Sequence, residues 1–227
     1  MTSEKKTAAY GNCIENRSQE RQECIIDDRE KNLSKPSLLM HSCCGPCSTA
    51  CIERMAPDYE ITIFFYNPNI TDRAEYDKRK QNQIKFIEEY NKNPDKPGKI
   101  AFMEGDYDKT EYLELCGAYS DEPEGGKRCW LCFDMRLKKT AETAALLNFD
   151  NFTTTLTVSP HKDKNAIFAI GRRQSDTYRV GFLEEDFKKK DGFKRSCELA
   201  KQYDLYRQDF CGCEFSRLES IERMKRK

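Results

Sequence analysis

The chain has no excess of charge of either sign: 39 Lys and Arg balance 39 Asp and Glu over 227 residues. Global charge therefore nominates no partner, and any nucleic-acid surface has to be a local patch. No apolar stretch approaches the roughly 20 residues that a membrane-spanning helix requires. The opening residues, MTSEKKTAAYGNCIENRSQERQEC, lack the apolar core of a secretory signal. Internal repeats and low-complexity tracts are missing too. Together these absences lead to the expectation of a soluble, cytoplasmic protein without a membrane partner. The length suits one full-sized domain with its own core.

Cysteine is what the chain has in quantity, with twelve. In a reducing compartment, clustered thiols more often ligate metal or do chemistry than form a disulfide scaffold. Cys43, Cys44, Cys47 and Cys51 form one group, Cys129 and Cys132 a second, Cys211 and Cys213 a third. Cys13, Cys24, Cys116 and Cys197 stand alone and read as ordinary buried or surface thiols.

Residues 1–35 read as a charged extension, helical or loosely ordered, and residues 36–220 as a single domain. Within it, SLLMHS, EITIFFYNPN, KIAFMEGDY and NFTTTLTVSP read as strands. Helices are expected from CSTACIERM, from 71–91 behind a Thr/Asp cap, from RCWLCFDMRLKKTAETAALLNF and from KDKNAIFAIGRR. Strands separated by helices make an α/β fold whose parallel sheet is covered on both faces. In such sheets ligands bind at the carboxyl ends of strands. Cys43 and Cys44 have that address, with Gly45-Pro46 making the turn. Cys47 falls in the first helical turn, where the helix dipole favours a thiolate. Cys51, one turn on, is expected to face the sheet.

Cys129 and Cys132, three apart on a helix, project from one face. Alone they fit half a zinc site, half an iron–sulfur site or a thioredoxin-type couple. Paired with Cys43 and Cys44 they give four thiolates. An adjacent Cys-Cys suits the corners of an iron–sulfur cube better than a single tetrahedral ion. Cys211 and Cys213 flank one glycine, so a disulfide between them would be strained and easily reduced, and their dithiol carries two electrons. A pair of metal ligands is the alternative.

Several separated motifs, HSCCGPC, FFYNPNI, CWLCFDMRL, TTTLTVSPHKD, FLEEDFKKKDGF and YRQDFCGCEFS, together resemble the cobalamin-independent epoxyqueuosine reductase family. The resemblance runs from about Leu38 to Ser216. It implies the last step of queuosine synthesis, removal of the epoxide oxygen from epoxyqueuosine at the wobble position of tRNA. It also implies a nucleotide-hydrolase-like (HUP/PP-loop-type) three-layer sandwich and a 4Fe-4S cluster on Cys43, Cys44, Cys129 and Cys132. A redox-active disulfide is implied at Cys211 and Cys213. An additional iron is associated with the region of Cys47, where family members vary and an aspartate can replace this cysteine. The electron donor stays unidentified.

Asp134 is a candidate metal ligand or proton relay, with a helix salt bridge to Lys138 as the plain alternative. His161 is a candidate proton donor. Unpaired anticodon bases need only stacking and backbone contacts. Arg172, Arg173, Arg179, Lys188, Lys189, Lys190, Lys194 and Arg195, interleaved with Phe187 and Phe193, supply the local positive charge for tRNA. The competing reading of the same cysteines is a zinc-stabilised tRNA-binding module without turnover. The place of an ATP-binding Ser-Gly-Gly-x-Asp loop is taken by Ser-Cys-Cys-Gly-Pro.

Overall fold

The apolar run after Pro36 becomes the centre of the sheet because it is buried on both sides. A computed structural model describes residues 35–225; all but the last residue of the expected N-terminal extension lies outside them. The elements follow in the order β1 (Ser37–His41), α1 (Gly45–Met55), β2 (Glu60–Phe65), α2 (Arg73–Lys92), β3 (Ala101–Glu104), α3 (Lys109–Gly117) and α4 (Lys127–Leu146). Then come β4 (Asn151–Thr154), a 3₁₀ turn (Thr155–Val158), α5 (Lys164–Tyr178), β5 (Gly181–Phe182), α6 (Gly192–Gln202) and α7 (Glu214–Lys225).

The five strands are parallel and ordered β3-β2-β1-β4-β5. Strand alternation sends Leu38 and Met40 to one face and Leu39 to the other. The first pair packs with Ile61 and Ile63 beneath α1, α2 and α6, where Cys51, Ile52, Phe86, Ile87 and Ala200 close the layer. Leu39 packs with Phe64 and Phe152 beneath Ala141 and Ala144 of α4. The result is the expected three-layer α/β sandwich. Each fully buried side chain of this size is worth about 1.5–3 kcal/mol relative to exposure.

Strand order turns back at β1, which has β2 on one side and β4 on the other. The crevice beyond the carboxyl ends of β1 and β4 is the topological switch point, the usual ligand position in such sheets. Two local interactions fix the chain there. Asp72 caps α2 by accepting from the N–H groups of Ala74 (2.9 Å) and Glu75 (3.3 Å). Gln83 of α2 accepts from the Ser42 hydroxyl at 2.7 Å and donates to Ser48 at 2.9 Å, tying the end of β1 to α1.

Candidate metal and redox site

The chain leaves β1 at His41 and enters α1 at Gly45, so Cys43 and Cys44 occupy the connection and Cys47 the first turn. Cys44 is the N-cap of α1, and no side chain caps the helix. The unpaired N–H groups and the positive end of the dipole therefore face the thiols. The sulfurs of Cys43, Cys44 and Cys47 lie within 4.8 Å of one another, an arrangement able to hold a metal ion. Those of Cys43 and Cys44 are 3.9 Å apart.

Electrostatics make this a shared-proton group. Hydrogen bonds from Cys44 and Cys47 hold the Cys43 thiol well below its ordinary range against the opposing effect of burial. The reciprocal interaction with Cys43 pushes Cys44 up to about 12 and raises Cys47 as well. The Gln208 amide donates to the Cys44 sulfur at 3.0 Å. Cys51 has its own fate: it packs in the main core and its buried thiol is pushed up, as a packing residue's would be.

The other cysteine pairs come to the same end of the sheet. Cys129, in the first turn of α4, packs on the Cys43 and Cys44 side together with Phe133, Leu137 and Leu156. Its sulfur accepts from the Gly125 N–H at 3.2 Å. Cys132 is buried on the neighbouring side with Cys116, Cys213, Tyr112 and Met135. Burial pushes the Cys132 thiol well up and Cys116 to about 11. A buried thiol of this kind ionises only when a cation is brought to it, as a metal does. By spacing alone Cys116 is an isolated thiol; the packing of α3 on α4 places it against Cys132 and Cys213 instead.

Cys211 and Cys213 lie in the turn before α7 and are both free thiols, the second buried. Burial and the neighbouring Cys211 raise Cys213. The turn is held by the buried Arg79, which donates to the carbonyls of Cys211 (2.9 Å) and Phe210 (3.3 Å) and pairs with Glu75 at 2.6 Å. Between the two cysteines Gly212 takes a φ of +123°.

A cavity of about 230 Å³ opens onto these thiols, with Cys43, Cys47 and Cys211 in its lining alongside Lys162 and Phe210. His161 and Phe193 also line it. Burial pulls the Lys162 pKa down, but the sulfurs of Cys211, Cys43 and Cys47 outweigh it and raise the pKa. His41 is different in kind. Burial, reinforced by Arg136, lowers it to about 3, and its ring bridges Thr154 (2.9 Å) and the Tyr66 carbonyl (3.2 Å). It is a neutral strut between β1, β2 and β4.

Arg136 was not singled out in the sequence and is fully buried. Its Nε donates to the Cys132 carbonyl at 3.3 Å, while both terminal nitrogens lack a hydrogen-bond partner. Its charge is felt by Cys132, Cys211 and Cys43. A buried guanidinium among thiols with two open donor nitrogens fits an anionic metal–sulfur group, and so does the all-thiol donor set.

The remaining candidates make contacts of their own. Asp134 accepts from Arg173 and Gln174 of α5, each at 2.6 Å, in place of the anticipated Lys138 bridge. Arg172 pairs with Glu184 at 2.7 Å, and Arg195 forms a two-pronged pair with Glu53 at 2.8 Å on each prong. Arg179 is the left-handed C-cap of α5. Lys188 donates to the Lys162 carbonyl at 3.2 Å, beside the cavity. Lys190, Lys194 and Arg195 line a separate polar groove of about 430 Å³ with Glu53 and Glu198. Phe187 is buried under Arg54, whereas Phe193 is exposed and carries Arg207 over its ring. Among the described residues no helix is long and apolar enough to cross a membrane.

A family model described as "Epoxyqueuosine reductase QueH" matches residues 38–219. Relatives of that description are similar over most of the chain. The protein of Streptococcus pyogenes serotype M1 is 42% identical over 187 residues, 82% of this chain and 72% of its own length. That of Staphylococcus epidermidis is 36% identical over 198 residues, 86% and 82% of the two chains. That of Thermotoga maritima is 33% identical over 190 residues, 82% and 93% of the two chains.

Proposed function

The chain belongs to the epoxyqueuosine reductase QueH family, and from that premise we propose that it deoxygenates epoxyqueuosine to queuosine at the wobble position of tRNA. The observation that carries the reading is the clustering of Cys43, Cys44 and Cys47, two of which, Cys43 and Cys47, line one cavity together with Cys211 at the switch point. Deoxygenation of an epoxide to an alkene takes two electrons and two protons and releases water. Oxidation of the Cys211–Cys213 dithiol to a disulfide releases two electrons and two protons, so the balance closes within the site. An external donor then returns the pair to the dithiol.

We assign Cys43, Cys44, Cys129 and Cys132 as holders of a 4Fe-4S cluster, with Cys47 available to an additional iron. Such a group supplies one-electron transfer and Lewis acidity toward an oxygen atom. The chain's own residues do the rest. Phe193 and Phe210 offer aromatic faces to an unstacked base at the cavity. Lys162 and His161 both line the cavity wall, and we assign them as the sources of the protons that reach the departing oxygen. Asp134, already committed to Arg173 and Gln174, stays outside the reacting set. Phosphates of the anticodon arm meet Lys188, Lys189, Lys190 and Lys194.

Anaerobic purification followed by iron and sulfide analysis tests the metal assignment. Cys43→Ala is expected to lose iron and sulfide and Cys51→Ala to keep them. Zinc without iron or sulfide in the parent protein would instead favour a zinc-stabilised tRNA-binding module. Lys162→Met and His161→Asn, assayed with the metal content intact, test the proton donors; unchanged turnover in both removes them from the chemistry.

A further inference from the structure

Three large charged side chains, Arg79, Arg128 and Arg136, are almost fully buried. Two are conventionally neutralised. Arg79 pairs with Glu75 and donates to two backbone carbonyls. Arg128 pairs with Glu219 at 3.1 Å and donates to the carbonyls of Tyr119 (3.3 Å), Ser120 (2.8 Å) and Glu122. Arg136 has neither kind of support beyond its single Nε bond. No ion pair among the described residues includes it, both terminal nitrogens lack a hydrogen-bond partner, and its guanidinium lies 5.8 Å from the centre of the Phe133 ring. A buried cation left without charge compensation is strongly unfavourable.

The charges that most favour the ionised Arg136 are those of Cys132, Cys211, Cys43 and the Tyr112 phenol, while Lys162 is a second cation within its reach. No carboxylate is among them. Arg136 is felt on both sides of the site, by Cys43 in the connection after β1 and by Cys132 on its own helix. It follows Cys132 by one helical turn, which fixes it beside that ligand whatever the loops do.

We propose that Arg136 is the built-in counter-ion of the metal–sulfur cluster, donating from its terminal nitrogens to the cluster's sulfur atoms. This rests on the cluster assignment under Proposed function. The residue is a positioning and tuning group. It holds the negative charge of the cluster in a water-poor site and sets how readily that group accepts an electron. A cation at this position stabilises the more negative, reduced state, so its removal makes the cluster harder to reduce. Hydrogen bonds to cluster sulfurs and local net charge are the protein's usual levers on such potentials.

The test uses the full chain, purified anaerobically with its metal, as Arg136→Met and Arg136→Lys. For the Met variant, a chelator should strip iron roughly ten- to a hundred-fold more readily than from the parent, the usual effect of losing an outer-sphere partner. A redox titration should show its cluster reduced only at lower potential. The Lys variant keeps the charge but not the planar fork, and should fall between the two. The metal-free Met variant should melt no lower than the metal-free parent, because it lacks an unpaired buried charge, while the loaded Met variant melts below the loaded parent. Unchanged iron retention and potential in a fully loaded Met variant overturn the proposal. So does an equal loss of melting temperature with and without metal, which marks a structural role. If the Met variant does not fold, the Lys variant decides: retention and potential equal to the parent's overturn the proposal. A parent protein that purifies without iron and sulfide overturns the cluster assignment itself.

Discussion

Gly212 separates the two C-terminal cysteines, and replacing it with Ala probes the turn proposed to be redox-active without touching either thiol. Two effects add. The first is backbone strain: at φ +123° a side chain is rarely tolerated, at about 1–3 kcal/mol. The second is contact: an added Cβ would lie 2.9 Å from Cγ1 of Ile70 and 3.1 Å from Nη1 of Arg79. Both neighbours are essentially fully buried, so neither can swing away into solvent. Overpacking of this kind costs about 1–3 kcal/mol. Gly98 offers the control. Its φ is +100° but nothing lies within 4 Å of the added Cβ, so Gly98→Ala carries the backbone effect alone. Gly212→Ala should therefore be less stable than Gly98→Ala by about 1–3 kcal/mol. In a domain of this size that is about 2–12 °C in melting temperature. Displacement of Arg79 also releases the carbonyls of Phe210 and Cys211, so turnover should fall while iron bound near Cys43 stays. Melting curves and metal analysis of both variants supply the numbers. Equal stability of the two within about 0.5 kcal/mol, with full turnover in Gly212→Ala, refutes the reasoning.

Gly45→Ala should cost about 1–3 kcal/mol and lower iron content, because its Cβ would meet the Asn82 carbonyl oxygen at 2.8 Å and force α1 away from α2; undiminished iron contradicts this. Replacing Lys189, Lys190 and Lys194 together with Ala should flatten the salt dependence of tRNA binding. The log–log slope should drop by about 2 to 3 if each lysine meets one phosphate, and an unchanged slope removes the patch. Asp186 pairs with Lys164 at 2.7 Å. Burial opposes its ionisation, but the Lys164 ammonium and the Lys188 N–H prevail and hold the carboxyl below its usual 3.8. Its stabilisation is thus present at neutral pH and lost as pH falls through the depressed value. Asp186→Asn should lower stability by about 1 kcal/mol at neutral pH in denaturant titrations and by less at the acid end; a deficit independent of pH counts against the pair.

The parts of the fold that were legible are those where periodicity and burial agree. SLLMHS reads as a doubly buried strand because three consecutive apolar residues have to find partners on two faces, and Leu38, Leu39 and Met40 do so. Cys47 and Cys51 were separable because one helical turn lies between them. NFTTTLTVSP misled over its second half. Its β-branched residues suit a strand, but pairing with β1 stops at Thr154 beside His41, and the Thr154 hydroxyl accepts from the Leu156 N–H at 3.2 Å to start a 3₁₀ turn. β5 is two residues long and carries no pattern to read.

At the site, the thiols on strand ends and helix turns were visible because spacing alone groups them. Cys116 was not, since only tertiary packing of α3 on α4 brings it to Cys132 and Cys213. Arg136 and Lys162 do not stand out in the sequence either. A charged residue inside a polar run reads as solvent-facing until the structure shows what surrounds it. The i, i+4 spacing of Cys132 and Arg136 was the one signal that could have flagged the arginine.

The central claim, epoxide deoxygenation by this chain, is tested most directly by chemistry on its substrate. Anaerobically purified protein, a reductant and tRNA carrying epoxyqueuosine are incubated, and the nucleosides are resolved by mass spectrometry. Queuosine should appear at the expense of epoxyqueuosine with the parent protein and not with Cys211→Ala. Intact epoxyqueuosine after incubation with protein fully loaded with iron and sulfide would contradict the account.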